Sequence, residues 1–192
     1  MGLLEDSRIE VSAIEEGPSL ILRRTAPWSR LEFAMQHQDE TFWCWAATSV
    51  SVAHYYESES NWTQCRMVNE ERRLTTCCRD GAAAGCNVPN ALQSPLERVD
   101  ALDRWQRGSV SFDRIREEID AGRPLAWRIQ WPDGTGHFAV IEGYQSSNRR
   151  LLAVEDPWTG SVDVPFDSLQ SGRYRGEGKW THSYFTQRPR AR

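Results

Sequence analysis

The sequence predicts an α+β fold, with helices in its first half and an antiparallel sheet in its second. Two observations carry this. From about Thr41 to Tyr56 small and apolar residues run almost all the way round a helix, the signature of a central helix buried on most sides. After Pro124 three strand-length apolar runs follow one another across short turn sequences, which describes a meander. Helices first and strands later make an α+β arrangement in which the central helix packs on the sheet.

The elements follow in chain order. Arg8–Ile14 and Ser19–Arg24 read as two short strands around the turn Glu15-Glu16-Gly17-Pro18, and residues 25–40 as a loop leading into the central helix. Residues 63–74 and 90–105 carry patchier helical patterns on either side of a cysteine-rich loop, 75–88. Ser111–Ala121 places Phe112, Ile115 and Ile119 on one face, with Ser111 as N-cap and Gly122 and Pro124 as stop signals. The strands Leu125–Trp131, His137–Tyr144 and Leu151–Glu155 come next, with shorter ones near Ser161–Val164 and Ser183–Thr186. No repeat, low-complexity tract or linker interrupts the chain, so one domain is expected over 1–192: N-terminal strands in 1–30, a helical, cysteine-rich subregion in 60–105 and a mainly β part in 108–187.

The 192 residues are 39% hydrophobic and 26% charged, with a net charge of −4, enough to build a core and too acidic overall to attract nucleic acid or an anionic membrane. No apolar run reaches the roughly 18 residues of a membrane span, and Met1–Ile9 lacks the basic start and apolar run of a secretory signal. A soluble protein, cytoplasmic in its producer, is expected.

Five cysteines are present, Cys65, Cys77, Cys78 and Cys86 in one cluster and Cys44 apart from them. Cys44 falls in the first turn of the central helix, where unpaired backbone N–H groups and the macrodipole favour a thiolate. A base must reach that sulfur. His54 lies ten residues along the same helix, about 15 Å away at 1.5 Å per residue. His37 and His182 have no partner motif, whereas His137 opens an apolar strand.

Cys44-Trp45-Ala46-Ala47-Thr48-Ser49 has the Cys-Trp-Ala-x-x-Ser form of the papain-like active-site helix, Gln38 lies six positions before the cysteine, and Gly136-His137-Phe138-Ala139-Val140-Ile141-Glu142-Gly143-Tyr144 has the form of a histidine entering a strand that ends in Gly-Tyr. The chain therefore resembles the papain-like cysteine peptidase superfamily. Asp156-Pro157 resembles the acidic third residue of the bacterial C39-like and AvrRpt2-type groups, where papain itself has Asn. The resemblance implies a papain-like fold and a bacterial thiol protease, with Cys44 as nucleophile, His137 as general base, Asp156 as the residue orienting the histidine and Gln38 as an oxyanion-hole donor, Gln36 standing at the wrong spacing. Trp158 matches a tryptophan that shields the histidine's partner bond. It implies no cofactor and no metal.

Cys65, Cys77-Cys78 and Cys86 resemble a cysteine-rich insertion of the AvrRpt2-like group. Two disulfides are their simplest use, as Cys65–Cys77 with Cys78–Cys86 or as Cys65–Cys78 with Cys77–Cys86; free thiols and a zinc site are the alternatives, the latter lacking Cys-x2-Cys spacing. Disulfides call for an oxidising destination, which delivery by a specialised secretion system would reconcile with the N-terminal sequence. An effector or toxin acting on a protein or peptide substrate, with a cognate inhibitor or immunity protein as partner, is the expectation. The same three residues would equally serve a transglutaminase-like acyltransferase or a glutamine deamidase, and a non-catalytic binding module on the same scaffold is the third reading.

Overall fold

The wall-to-wall apolar segment forms helix α1, Cys44–Tyr56, in the computed structural model, which describes residues 28–146 and 149–190. Trp45, Ala46, Ala47, Val50 and Val52 are wholly buried in it, so α1 has neighbours on nearly every side. They are the helices α2, Gln64–Arg72, and α3, Gln93–Arg98, and one face of the sheet. Thr63 caps α2, its hydroxyl accepting the backbone N–H of Arg66.

The sheet has seven strands: β1 (Trp28–Arg30), β2 (Leu102–Arg107), β3 (Leu125–Gln130), β4 (Gly136–Gln145), β5 (Leu151–Asp156), β6 (Gly160–Pro165) and β7 (Lys179–Thr186). Its order is β2-β7-β3-β4-β5-β6, with β1 pairing β4, and every pairing is antiparallel. The expected meander is β3 to β6, and β7 returns to lie on the other side of β3. Helix α4, Phe112–Asp120, packs Phe112, Ile115 and Ile119 on the sheet face opposite α1, with Ser111 accepting the Arg114 N–H as its cap. A short helix α5, Phe166–Gln170, closes that side. Two apolar clusters result, one of α1, α2 and α3 with Ala126, Phe138, Val140 and Tyr184, the other of α4, α5 and the reverse of the sheet.

Two sequence expectations need correction. Residues 90–105 are not one helix: α3 stops at Arg98, Asp100 takes a left-handed φ of 55°, and Leu102–Arg107 extends as edge strand β2 against β7. Residues 25–40 are not all loop, because Trp28–Arg30 adds to β4 at Gly143, where a Cβ would stand 2.7 Å from the Ser29 carbonyl oxygen. That close approach explains the glycine of the Gly-Tyr pair. Helix α5 was not foreseen. The expected strands at 8–14 and 19–24 lie outside the described residues.

The cysteine cluster forms the disulfides Cys65–Cys78 and Cys77–Cys86, the second of the two pairings left open above, and Cys44 is the free cysteine among the described residues. The cross-linked loop is fastened to the start of α1. The Trp43 indole donates to the Cys86 carbonyl at 2.9 Å, the Trp45 indole to the Val88 carbonyl at 3.0 Å, and the Phe42 N–H to Asn87 Oδ1 at 2.9 Å.

Candidate active site

Cys44 is the first residue of α1, follows a buried Trp43, and is itself 7% exposed. Its backbone N–H lies in the first turn and has no acceptor within the helix. His137 enters from the start of β4 and Asp156 from the end of β5, so residues from α1 and from two strands of the sheet meet at one cleft of about 480 Å³.

His137 Nε2 lies 2.9 Å from Asp156 Oδ1. With Nε2 donating to the carboxylate, Nδ1 is left for the sulfur of Cys44, which lines the same cleft. Burial pushes the imidazole toward its neutral form, but the bonds and charges of Asp156 and Cys44 outweigh it and raise its pKa to about 9. Burial likewise raises Asp156, yet the bonds from His137, Tyr174 and the Trp158 N–H prevail and hold it down at about 2. Carboxylate and imidazolium stabilise each other at neutral pH.

Tyr174 carries no signal in the sequence. It is 1% exposed, and its hydroxyl donates to Asp156 Oδ2 at 2.7 Å. The other oxygen, Oδ1, accepts from His137 and from the backbone N–H groups of Trp158 at 2.8 Å and Thr159 at 3.2 Å. Arg175 Nε stands 3.9 Å from Oδ2 and also bonds Thr159. Tyr174 sits in a loop closed by a bridge with Gly178, and a tyrosine among Gly, Arg and Glu offers no local pattern to single it out.

Gln38 is buried beside Cys44 and lines the cleft, but its side-chain nitrogen donates to the carbonyls of Glu40 at 2.8 Å and Thr41 at 2.7 Å. Both amide hydrogens are therefore turned on its own loop, while Oε1 is buried without a partner. Exchanging O and N would set that oxygen against two carbonyls, so the recorded orientation is the favourable one. The Gln38 backbone N–H donates to the Pro157 carbonyl at 2.9 Å, tying this loop to the turn after Asp156.

Trp158 is 53% exposed at the rim, and its ring stacks on His37 with centroids 5.9 Å apart. What it gives Asp156 is its backbone N–H. The other histidines stand elsewhere: His54 bonds the Trp62 carbonyl, and His182 lies on β7 with its pKa lowered by burial and by the charges of Arg128 and Arg107. Gln36 Oε1 accepts from Gln64 Nε2 at 3.4 Å. None of the described His, Cys, Asp and Glu side chains group so as to hold a metal ion. No described helix is long and apolar enough to cross a membrane.

Among solved structures, a double glycine motif protease from an AMS/PCAT transporter in complex with the leader peptide is 17% identical, covering 82% of this chain and 94% of that one at a TM-score of 0.46. The Pseudomonas avirulence protein AvrPphB is 11% identical, covering 81% of this chain and 97% of that one at a TM-score of 0.37. No curated protein gives a significant match. The family model described as the Peptidase_C39 like family matches residues 30–182, and the chain belongs to that family of papain-like cysteine peptidases.

Proposed function

We propose that the protein hydrolyses peptide bonds of protein substrates through a triad of Cys44, His137 and Asp156. The observation that carries this reading is the 2.9 Å bond between His137 and Asp156 in the same cleft that Cys44 lines from the first turn of α1. Asp156 fixes the tautomer in which Nδ1 faces the sulfur and stabilises the imidazolium. The Cys44 thiolate attacks the substrate carbonyl, His137 passes its proton to the leaving amine, and a thioester forms. Water, deprotonated by His137, then attacks the thioester and releases the acyl part with the thiol restored.

Negative charge on the carbonyl oxygen of the intermediate falls near the Cys44 N–H, one donor of an oxyanion hole. Gln38 becomes the second when one amide hydrogen leaves the Glu40 or Thr41 carbonyl for the substrate oxygen. Tyr174 is a positioning residue for Asp156, and Trp158 supports the same carboxylate by its main chain. The whole of 1–192 acts as one peptidase domain. The two disulfides fit a protein that works in an oxidising setting, and together with the resemblance to bacterial effector proteases they favour an exported effector or toxin, held in check by a cognate inhibitor.

Intact-mass measurement after brief iodoacetamide treatment at pH 6 tests the nucleophile. One adduct on Cys44, absent in Cys44→Ala and slowed in His137→Ala, is expected. Failure of wild-type Cys44 to react would sink the triad reading. Mass analysis of treated proteins then separates the acceptors: cleaved chains mean hydrolysis, and glutamine-to-glutamate conversion without cleavage would replace it by deamidation.

A further inference from the structure

Beside the triad the cleft wall carries two guanidiniums, Arg128 and Arg175, and its one carboxylate is the fully engaged Asp156. Arg175 leans toward Asp156 and Thr159. Arg128 differs: its recorded partners are the neutral Thr181 hydroxyl at 3.0 Å and Gln130 at 3.4 Å, and among the described residues no carboxylate lies within ion-pair distance of it. Its place is built into the sheet. Gly136, next to His137, has no side chain where a Cβ would stand 2.6 Å from Arg128 Nη2, so the glycine leaves the guanidinium room beside the imidazole.

Arg128 also begins a row. In the strand register it stands opposite His182 on β7, and His182 stands opposite Arg107 on β2. Adjacent antiparallel strands set paired Cα atoms about 4.5–5.5 Å apart, so the two arginines bracket His182 with their Cα atoms about 10 Å apart on one face. Both charges reach the imidazole. Arg107 is exposed, and among the described residues it too has no carboxylate partner. Next along the same face Trp105, 40% exposed, stands opposite Tyr184, and its ring packs against those of His182 and Tyr184. A strip of uncompensated positive charge with an aromatic border thus leads from the catalytic cleft to the sheet edge, on a chain whose net charge is negative.

We propose that Arg128 and Arg107 form an acidic-segment site of the peptidase, which receives glutamate or aspartate side chains of an extended substrate near the bond to be cut. The proposal rests on the peptidase reading and names its substrate class. In an extended peptide, side chains on one face recur every second residue, about 6.6–6.8 Å apart, a spacing that two flexible arginines of one row can meet together. The uncompensated charge would steer an acidic segment to the cleft and hold it there.

Binding to the Cys44→Ala protein tests this without any turnover. Peptides with glutamate, glutamine or lysine at alternate positions, each carrying a neutral fluorophore, are titrated by anisotropy at low and at physiological salt. The glutamate peptide is expected to bind about 10-fold more tightly than the glutamine one at low salt, the scale of two solvent-bathed ion pairs, with the ratio shrinking as salt rises. That ratio should collapse toward one in the Arg107→Gln/Arg128→Gln protein and persist in Arg116→Gln, whose exposed arginine lies on α4 across the sheet. Equal affinities for the glutamate and glutamine peptides would overturn the proposal, as would a preference that survives the double replacement or vanishes equally in Arg116→Gln. Wild-type Cys44 alkylation reports on the triad separately: reactive Cys44 without acid preference overturns this inference alone, and acid preference with inert Cys44 overturns the peptidase.

Discussion

Replacing Tyr174 by Phe removes one oxygen atom from the candidate site and changes almost nothing else. The phenol is buried, its ring is clasped by Trp127 at a centroid distance of 5.1 Å, and its hydroxyl is the hydrogen-bond donor recorded for Asp156 Oδ2. Arg175, at 3.9 Å, is too far to take over. A hydrogen bond to a charged group contributes about 1.5–3 kcal/mol, and water has little access to replace it at a carboxylate that is 2% exposed. Tyr174→Phe is therefore expected to lose about 2 kcal/mol at pH 7, which for a chain of this size lowers Tm by about 4–8 °C. The sign with pH follows from Asp156. Its pKa is depressed from 3.8 to about 2, so the stabilisation is present above 3.8 and fades as pH falls toward 2. The difference between wild type and variant should narrow in that window. In an Asp156→Asn background the same replacement should cost only the neutral-bond range of about 0.5–1.5 kcal/mol, and kcat in the wild-type background should fall with KM unchanged. Denaturant unfolding of the four proteins of the cycle measures this. A Tyr174→Phe protein as stable as wild type at pH 7, or an equal loss with and without the Asp156 carboxylate, would refute the reasoning.

Two further outcomes are expected. His137, raised to about 9, carries its proton up to that pH, so peptidase kcat/KM should fall on an alkaline limb near 9 as the acid that protonates the leaving amine is lost; in Asp156→Asn the bond and charge of the carboxylate no longer offset burial, and the limb should move to lower pH. A pH–rate profile that leaves the limb in place would show that Asp156 is not what holds the proton. The disulfides close loops with sequence separations of 13 and 9, each worth about 3 kcal/mol in the chain-entropy account, so reduction should lower Tm and, because residues 86–88 hold the start of α1, slow alkylation of Cys44 as well; unchanged Cys44 reactivity in the fully reduced protein would uncouple the two.

The helix and strand parts that carry Cys44, His137 and Asp156 were legible because each is a short local pattern: an apolar helix, an apolar strand opened by Gly-His, a strand ending in Asp-Pro. What escaped was set by partners far along the chain. Leu102–Arg107 reads as the tail of a helix, and only β7, some eighty residues on, makes it a strand. Trp28–Arg30 is too short to show a period and exists because Gly143 lets it approach. Tyr174 has no neighbour in sequence that marks it, and its meaning comes from a carboxylate on another strand. Gln38 lines the same cleft as Cys44, but spacing says nothing of where an amide points, and here two nearby carbonyls decide it.

The loop before Cys44 shows why the distant parts matter to the near ones. Between His37 and Trp45 the backbone makes a tight descent into α1, and it is held from three directions. Gln64 of α2 accepts the Asp39 N–H and donates to the His37 carbonyl, the disulfide-bonded loop grips Phe42, Trp43 and Trp45, and the turn after Asp156 receives the Gln38 N–H. The last of these couples the loop before Cys44 directly to the strand end that carries Asp156. Cys44 opens α1 in one apolar cluster and Asp156 ends strand β5 of the sheet, so their separation depends on how the start of α1 is held against the sheet. The Gln38–Pro157 bond ties them through the main chain, where replacements other than Gln38→Pro leave it in place, and the His137–Asp156 bond adds to it. In the proposed mechanism, holding sulfur, imidazole and carboxylate in place before substrate arrives is what would make three ordinary side chains a catalyst.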